Sequence, residues 1–261
     1  MPYHATHAFQ ELFKKQRYLK LKNYLYNYLL RKRAVEKCLR HDHPELILEV
    51  GSGISPLISN IDNVVYSDVS FEAINILKRT FNNGHYVVAD GTRLPFKPDT
   101  FSHTLCSEVL EHIQDDRKAL GELARILKKP NGSLIVTVPH RKCYFGCDDL
   151  YVKHYRRYEL VEIMERLQSV GLQPVIIQKV LGPLEKITML IVIFFFNILH
   201  RRHPSPGATG DLAEGRLPDV LGVVFKWLNL FYKGFVWLDA KIMPLSFATV
   251  ILIRSSNSKM S

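Results

Sequence analysis

The chain has little cysteine. Cys38, Cys106, Cys143 and Cys147 are unevenly spread over 261 positions. Cys106 falls in a segment that reads as a buried strand, which excludes a disulfide framework and points to a reducing cytoplasm. Cys143-x-x-x-Cys147 with His140 and His154 leaves two readings open, an irregularly spaced zinc cluster or an aromatic-rich loop with incidental cysteines. No stretch near the N-terminus has the apolar core of a secretory signal, so export is not expected. The uncharged run Ile187 to Leu199 is thirteen residues long, short of the about twenty that cross a bilayer, so it is expected to lie in an interface, re-enter or pack inside protein. Acidic residues are also outnumbered, 25 Asp and Glu against 35 Lys and Arg, for a formal charge of +10.

The distribution of that charge says more than its sum. Residues 1–42 hold ten Lys and Arg against three Asp and Glu, residues 43–100 hold four against seven, and residues 183–261 hold nine against five. An acidic middle between basic flanks is compatible with an anionic membrane surface or a nucleic acid. The length suits one α/β domain with an elaboration.

What is present begins with Ile47-Leu-Glu-Val-Gly-Ser-Gly-Ile-Ser-Pro56, an apolar strand running into a glycine turn, with Asp68 nineteen residues after Glu49. In a doubly wound sheet this turn lies at the switch point. There Gly51 and Gly53 let backbone approach a nucleoside, and Asp68 can accept both ribose hydroxyls. A dinucleotide turn would carry a third glycine near position 56, where this chain has Ser55-Pro56. Strands are expected at 46–50, 64–68, 86–89, 101–106, 132–138, 174–181 and 247–253, and helices at 71–82, 115–128 and 158–170.

Glu49-x-Gly51-x-Gly53, Asp68, Asp90-Gly91, Leu94-Pro95-Phe96 and Ser107-Glu-Val-Leu-Glu-His112 follow one another in order. Together these motifs resemble class I S-adenosylmethionine-dependent methyltransferases of the small-molecule branch (methyltransferase type 11 like), over roughly residues 44–182 and a short stretch near the C-terminus. The resemblance implies a seven-stranded, mostly parallel, Rossmann-like α/β sheet with its last strand antiparallel beside the fifth. The expected division is a basic amphipathic helical segment over 1–43, a methyltransferase domain over 44–182 and 246–256, and an apolar helical insertion over 183–245. It also implies S-adenosylmethionine held by Glu49, Gly51, Gly53, Asp68, Asp90, Gly91 and Ser107, with Glu49 at its amino-acid end, Asp68 on the ribose and Asp90 at the adenine amino group.

Glu108, Glu111 and His112 are spaced i, i+3, i+4, so a helix would put all three on one face. The pattern is similar to the metal-binding motif of ubiquinone-biosynthesis O-methyltransferases and small-RNA 2′-O-methyltransferases, which implies a divalent metal, although a pairing role for Glu111 is equally open. Histidines after strand ends are the candidate general bases, because imidazole titrates near neutrality. These are His140, His112 and His154. Arg156 and Tyr158, in Lys153-His-Tyr-Arg-Arg-Tyr158, are candidate substrate contacts.

The insertion combines the apolar run with a second apolar helix over Val220 to Leu238, in which Trp227, Phe231, Phe235 and Trp237 are interleaved with Lys226 and Lys233. Interfacial tryptophan and snorkelling lysine suit a peripheral or monotopic membrane hairpin, and a buried cap or dimer interface is the alternative. The expected function is methyl transfer to oxygen of a small-molecule or lipid-linked acceptor at a membrane surface. An RNA methyltransferase ranks lower, since no appended RNA-binding module is evident, and an inactive membrane scaffold is the non-enzymatic alternative.

Overall fold

The computed structural model describes residues 23–40, 42, 44–81, 83–191 and 219–257. The expected helix before residue 23, the apolar run beyond residue 191 with His200 to His203, and the loop 204–218 lie outside the described residues. Helix α1 spans Tyr26–Leu39, α2 Phe71–Thr80, α3 Asp116–Ile126, α4 Cys147–Tyr151 and α5 Leu160–Ser169. Helix α6 is described over 183–191 and α7 spans Asp219–Ile242. The strands are β1 Ile47–Val50, β2 Val64–Asp68, β3 His85–Val88, β4 His103–Ser107, β5 Ser133–Pro139, β6 Leu172–Leu181 and β7 Val250–Asn257.

They form one sheet in the order β3-β2-β1-β4-β5-β7-β6. The first five strands pair in parallel, and β7 runs antiparallel between β5 and β6. The order reverses between β1 and β4, so the crevice outside the carboxyl ends of these two strands is the switch point. Every residue of β1 and β5 is buried, as both faces of a parallel sheet must be when helices cover them. Alternate side chains of β5 feed two apolar layers. Leu134, Val136 and Val138 meet Leu120, Leu123, Ile163 and Leu167 of α3 and α5, while Ile135 shares its layer with Leu30 and Val35 of α1, Leu77 of α2 and Val236 of α7.

Helix starts are fixed by local acceptors. Ser70 Oγ accepts from the Ala73 N–H at α2, and the Asp115 carboxylate accepts from the Lys118 N–H at α3. The described part of the N-terminal segment, α1, packs into the second layer, and its Tyr28 hydroxyl donates to the Pro56 carbonyl at 2.8 Å, tying it to the loop after the glycine turn. Among the described residues no helix is long and apolar enough to cross a membrane.

Candidate active site

The carboxyl ends of β1 to β5 gather most of the polar groups expected from the sequence. Gly51 follows β1, Asp68 ends β2, Asp90 and Gly91 lie just beyond β3, Ser107 ends β4, and His140 follows β5. Gly51 has φ +70°, and a Cβ there would come within 2.2 Å of Val109 Cγ2, so only a bare Cα fits beneath the loop that follows β4. Gly53 is also left-handed, at φ +54°, and its N–H donates to Asp68 Oδ2 at 2.9 Å. Asp68 Oδ1 accepts from the Ser70 N–H at 2.8 Å. The glycine turn, the acid after it and the start of α2 are thereby one hydrogen-bonded unit.

Asp90 makes a tight turn, its Oδ1 accepting from the N–H and hydroxyl of Thr92 at 2.8 and 2.9 Å. Ser107 Oγ shares a hydrogen bond of 2.7 Å with Thr137 Oγ1, which donates to Glu108 Oε1 at 3.2 Å.

Glu49 is tied into the loop that follows the glycine turn. Its side chain is buried, and its two oxygens accept from the backbone N–H groups of Leu57 and Ile58 at 2.8 and 3.1 Å. It shapes the far limb of the glycine loop. Burying that carboxylate among backbone donors satisfies the loop's orphan N–H groups, which explains an acid inside β1.

The helix expected to align Glu108, Glu111 and His112 is a single 3-10 turn, Leu110–His112, and Glu108 precedes it with φ +54°. Glu108 does not join the other two at ligand distance. Its place is taken by His154, which arrives from the loop after α4. Glu111, His112 and His154 each offer one ligand-type atom, all within 4.8 Å of one another. The two imidazole rings meet edge to face, with centroids 4.7 Å apart. His154 Nε2 lies 3.8 Å from Glu111 Oε1, and His154 Nδ1 lies 2.9 Å from Asp149 Oδ1.

The electrostatics of this cluster follow from burial. Glu111 is fully buried, and neither carboxylate oxygen has a hydrogen-bond partner among the described residues. Burial, and then the charge of Glu108, hold its carboxyl well above the usual range. His112 is pushed down to about 4 by burial and by neighbouring His154, against a hydrogen bond to the Lys153 backbone. For Asp149 burial works upward, but hydrogen bonds from His154 and Arg157 and the Arg157 charge outweigh it and hold the carboxyl well below the usual range.

The remaining expected residues are structural. His140 is 3% exposed, and its Nδ1–H donates to the Tyr158 carbonyl at 2.9 Å, so it staples the loop ends together. Tyr158 has no exposed surface, and its hydroxyl donates to Asp116 Oδ2 at 2.6 Å. It is a core residue, not a substrate contact. Arg156 pairs with Asp116 at 3.0 Å and donates to the Gln114 carbonyl at 2.8 Å, which commits it to α3. Cys143 and Cys147 are exposed, and neither joins a metal-type group among the described residues, which favours the incidental reading.

Asp149 is the site residue that the sequence reading passed over. An acid five positions before a histidine has no helical or strand periodicity. Asp148 and Asp149 stand in the short helix α4, in a stretch otherwise marked by its lysines and arginines. The buried partners of the pair are Arg157 and Lys186, with Lys186 Nζ 2.6 Å from Asp148 and 3.2 Å from Asp149.

Residues 48–136 match a family described as a methyltransferase domain. This segment of the chain resembles a methyltransferase domain. Across 98 residues it is 39% identical to an uncharacterised protein of Methanocaldococcus jannaschii, a match over 37% of this chain and 41% of that protein. Across 109 residues it is 32% identical to a demethylmenaquinone methyltransferase of Streptomyces griseus, covering 40% of this chain and 47% of that enzyme. The chain thus spans under half the length of these two relatives. The fold is similar to that of an S-adenosylmethionine-dependent methyltransferase, possibly a histamine N-methyltransferase by its description, from Thermotoga maritima. That likeness has a TM-score of 0.61 at 19% identity, over 97% of this chain and 99% of the other. The domain match covers 89 of the 261 residues, and the likeness to the solved structure is one of fold.

Proposed function

We propose that the protein transfers the methyl group of S-adenosylmethionine to a hydroxyl oxygen of an apolar, lipid-soluble acceptor at a membrane surface. One juxtaposition carries the reading. Val109 closes over Gly51 of the nucleoside-type turn, and two residues later the chain places Glu111 and His112 beside His154. A donor seated on the turn and an acceptor seated on the cluster are therefore neighbours. Asp68 takes the ribose, Gly51 and Gly53 leave room for it, and Asp90, with Oδ2 unpartnered among the described residues, takes the adenine amino group.

When bound, S-adenosylmethionine supplies a methyl carbon already activated for in-line displacement by its sulfonium. The protein's share is alignment and proton removal. The acceptor hydroxyl gives its proton to the Glu111–His112–His154 cluster, whose water-poor surroundings favour neutral groups. Asp149 orients His154, as a buried carboxylate fixes an imidazole's tautomer.

Apolarity of the acceptor is supported by α6 and α7. Ile187, Leu190 and Ile191 on α6 and Trp227, Leu228, Phe231 and Phe235 on α7 are exposed. Lys241 lies over the Trp237 ring at 5.1 Å and Lys226 over Tyr24 at 4.2 Å. Aromatic and apolar side chains rimmed by lysine suit the interfacial zone of a bilayer. Methylation at carbon is a second reading, favoured by 31% identity over 109 residues to a ubiquinone/menaquinone biosynthesis C-methyltransferase of Blochmanniella pennsylvanica, a match over 38% of this chain and 42% of that enzyme.

The test is transfer of labelled methyl from S-adenosylmethionine into a cell extract that is then separated into organic-soluble, RNA and aqueous fractions, with Asp68→Ala as control. The expected result is label in the organic fraction that is lost in the variant and released by ether cleavage. Label resistant to ether cleavage would move the reading to carbon, and label in RNA would overturn the lipid acceptor.

A further inference from the structure

We infer that Tyr26 of α1 and Glu185 of α6 form a subsite that holds a second, neutral oxygen of the acceptor, a hydroxyl or carbonyl other than the atom that is methylated. This subsite rests on the methyl-transfer reading above, which seats the acceptor on the Glu111–His112–His154 cluster. It adds the groups that select the acceptor there.

An orphaned hydroxyl carries the assignment. Tyr26 is 8% exposed, and its hydroxyl has no hydrogen-bond partner among the described residues. Such a group is costly to bury, and buried polar atoms are as a rule paired. Packing alone does not call for it. The Tyr26 ring meets the Tyr232 ring edge to face, with centroids 5.1 Å apart, a contact that phenylalanine makes equally well. The nearby hydroxyls are engaged with each other, Tyr232 with Thr188, and Thr188 donates to the Leu184 carbonyl at 2.8 Å. Two positions along α1, Tyr28 shows the ordinary outcome, its hydroxyl given to the Pro56 carbonyl.

Glu185 is the neighbour that completes the subsite. It is half-buried on α6, between Leu184, whose N–H donates to Asp239 of α7 at 3.0 Å, and Lys186, which pairs with Asp148 and Asp149 of α4. Burial holds its carboxyl above the usual range, against a hydrogen bond with Thr249 and the charge of Arg157, and Glu108 and Asp148 add to the rise. The Tyr26 hydroxyl is raised by burial, and then by Glu185 and Tyr232. These surroundings favour the neutral form of both groups. A neutral phenol and a neutral carboxyl each donate one O–H and accept in return, so together they match a hydroxyl or a carbonyl. A phosphate or carboxylate there would meet like charge from Glu108 and Asp148.

The same arginine links subsite and cluster. Arg157 Nε donates to Asp149 at 2.9 Å, Asp149 holds His154, and the Arg157 charge also acts on Glu185. An acceptor whose reacting hydroxyl lies on the cluster and whose apolar body runs toward α6 and α7 therefore passes Tyr26 and Glu185. An analogue without the second oxygen leaves both groups unpaired, which is how a buried polar site discriminates.

The experiment uses the full chain with S-adenosylhomocysteine bound and two probes, hexylresorcinol, which has two ring hydroxyls, and para-hexylphenol, which has one. Calorimetry should show the parent binding hexylresorcinol at least tenfold more tightly. Tyr26→Phe, which keeps the ring contact, should reduce that preference to about twofold or less, and so should Glu185→Leu. Glu185→Gln, neutral and still able to donate and accept, should keep most of it. Since the Tyr26 hydroxyl has no partner to lose, Tyr26→Phe should leave the thermal midpoint of the free protein unchanged or raise it, whereas loss of a structural hydroxyl would lower it. A parent without the preference, or a preference kept by both Tyr26→Phe and Glu185→Leu of native circular dichroism, would overturn the subsite. S-adenosylmethionine binding and label transfer by the parent are measured in parallel. Transfer without the preference overturns the subsite alone, and the preference without transfer overturns the methyl-transfer reading alone.

Discussion

At the scale of single residues, the glycine turn shows how a backbone requirement and a packing requirement meet at one position. Gly51 needs its positive φ for the turn, and it also lies under Val109, where any Cβ would collide. An alanine at a left-handed position costs more than the about 0.4–1 kcal/mol that Gly→Ala gains at compatible sites, and overpacking adds about 1–3 kcal/mol. Gly51→Ala is therefore expected to destabilise the fold by about 2–4 kcal/mol in urea unfolding. Adding Val109→Ala should recover the packing part alone, a non-additivity that a double-mutant cycle measures. Full additivity would mean that the collision is relieved elsewhere. The glycines and Asp68 were legible in the sequence because turn and capping chemistry act over a few residues. Glu49 was legible as important but not as to what it touches, since its partners at Leu57 and Ile58 depend on how the loop folds back.

The elements of the sheet could be read from their periodicity. Expected strand ends agree with the structure to within a few residues, and β7 lies antiparallel beside β5, as the resemblance implied. Short elements did not follow the helical rule. Glu-x-x-Glu-His reads as a helical face, yet Leu110–His112 makes only one 3-10 turn, and the histidine that joins Glu111 and His112 comes from a loop with no period to read. The charge cluster joining two elements was equally hidden. A membrane helix could not cheaply bury Glu185 and Lys186, and α6 resolves the difficulty inside protein, where Lys186 pairs with Asp148 and Asp149 of α4. Removing one partner of a buried pair is costly because the other charge stays behind. Lys186→Met is expected to lose about 3–5 kcal/mol in chemical denaturation, partly restored by a second substitution, Asp148→Asn. A loss under about 1 kcal/mol would show that Arg157 alone, 2.9 Å from Asp149 and 3.5 Å from Asp148, neutralises both acids.

Across the whole molecule, the sheet's carboxyl edge gathers the candidate site, while in the apolar elaboration after β6 helix α7 packs against α1 and β6. Helix α7 buries Val236 and Ala240 against the domain and leaves Trp227 and Phe231 about 70% exposed. Water-facing aromatics at this density raise the expectation of a partner surface. The basic flanks supply the sign of that partner: each lysine or arginine near an anionic bilayer adds roughly 1 kcal/mol of attraction, and each buried aromatic contributes about 1.5–3 kcal/mol. Sedimentation with vesicles should therefore show the full chain binding phosphatidylserine-containing membranes more tightly than purely zwitterionic ones, with the difference shrinking as salt is raised. The pair Trp227→Ser and Phe231→Ser should lower the partition coefficient at least tenfold in both kinds of vesicle, while S-adenosylmethionine affinity is unchanged, because both side chains stand about 70% exposed on α7. Equal partitioning by parent and variant would assign the face to protein contact instead. In that case variants and parent should differ in sedimentation equilibrium, since a face that does not meet lipid must be covered by another copy or by a partner chain.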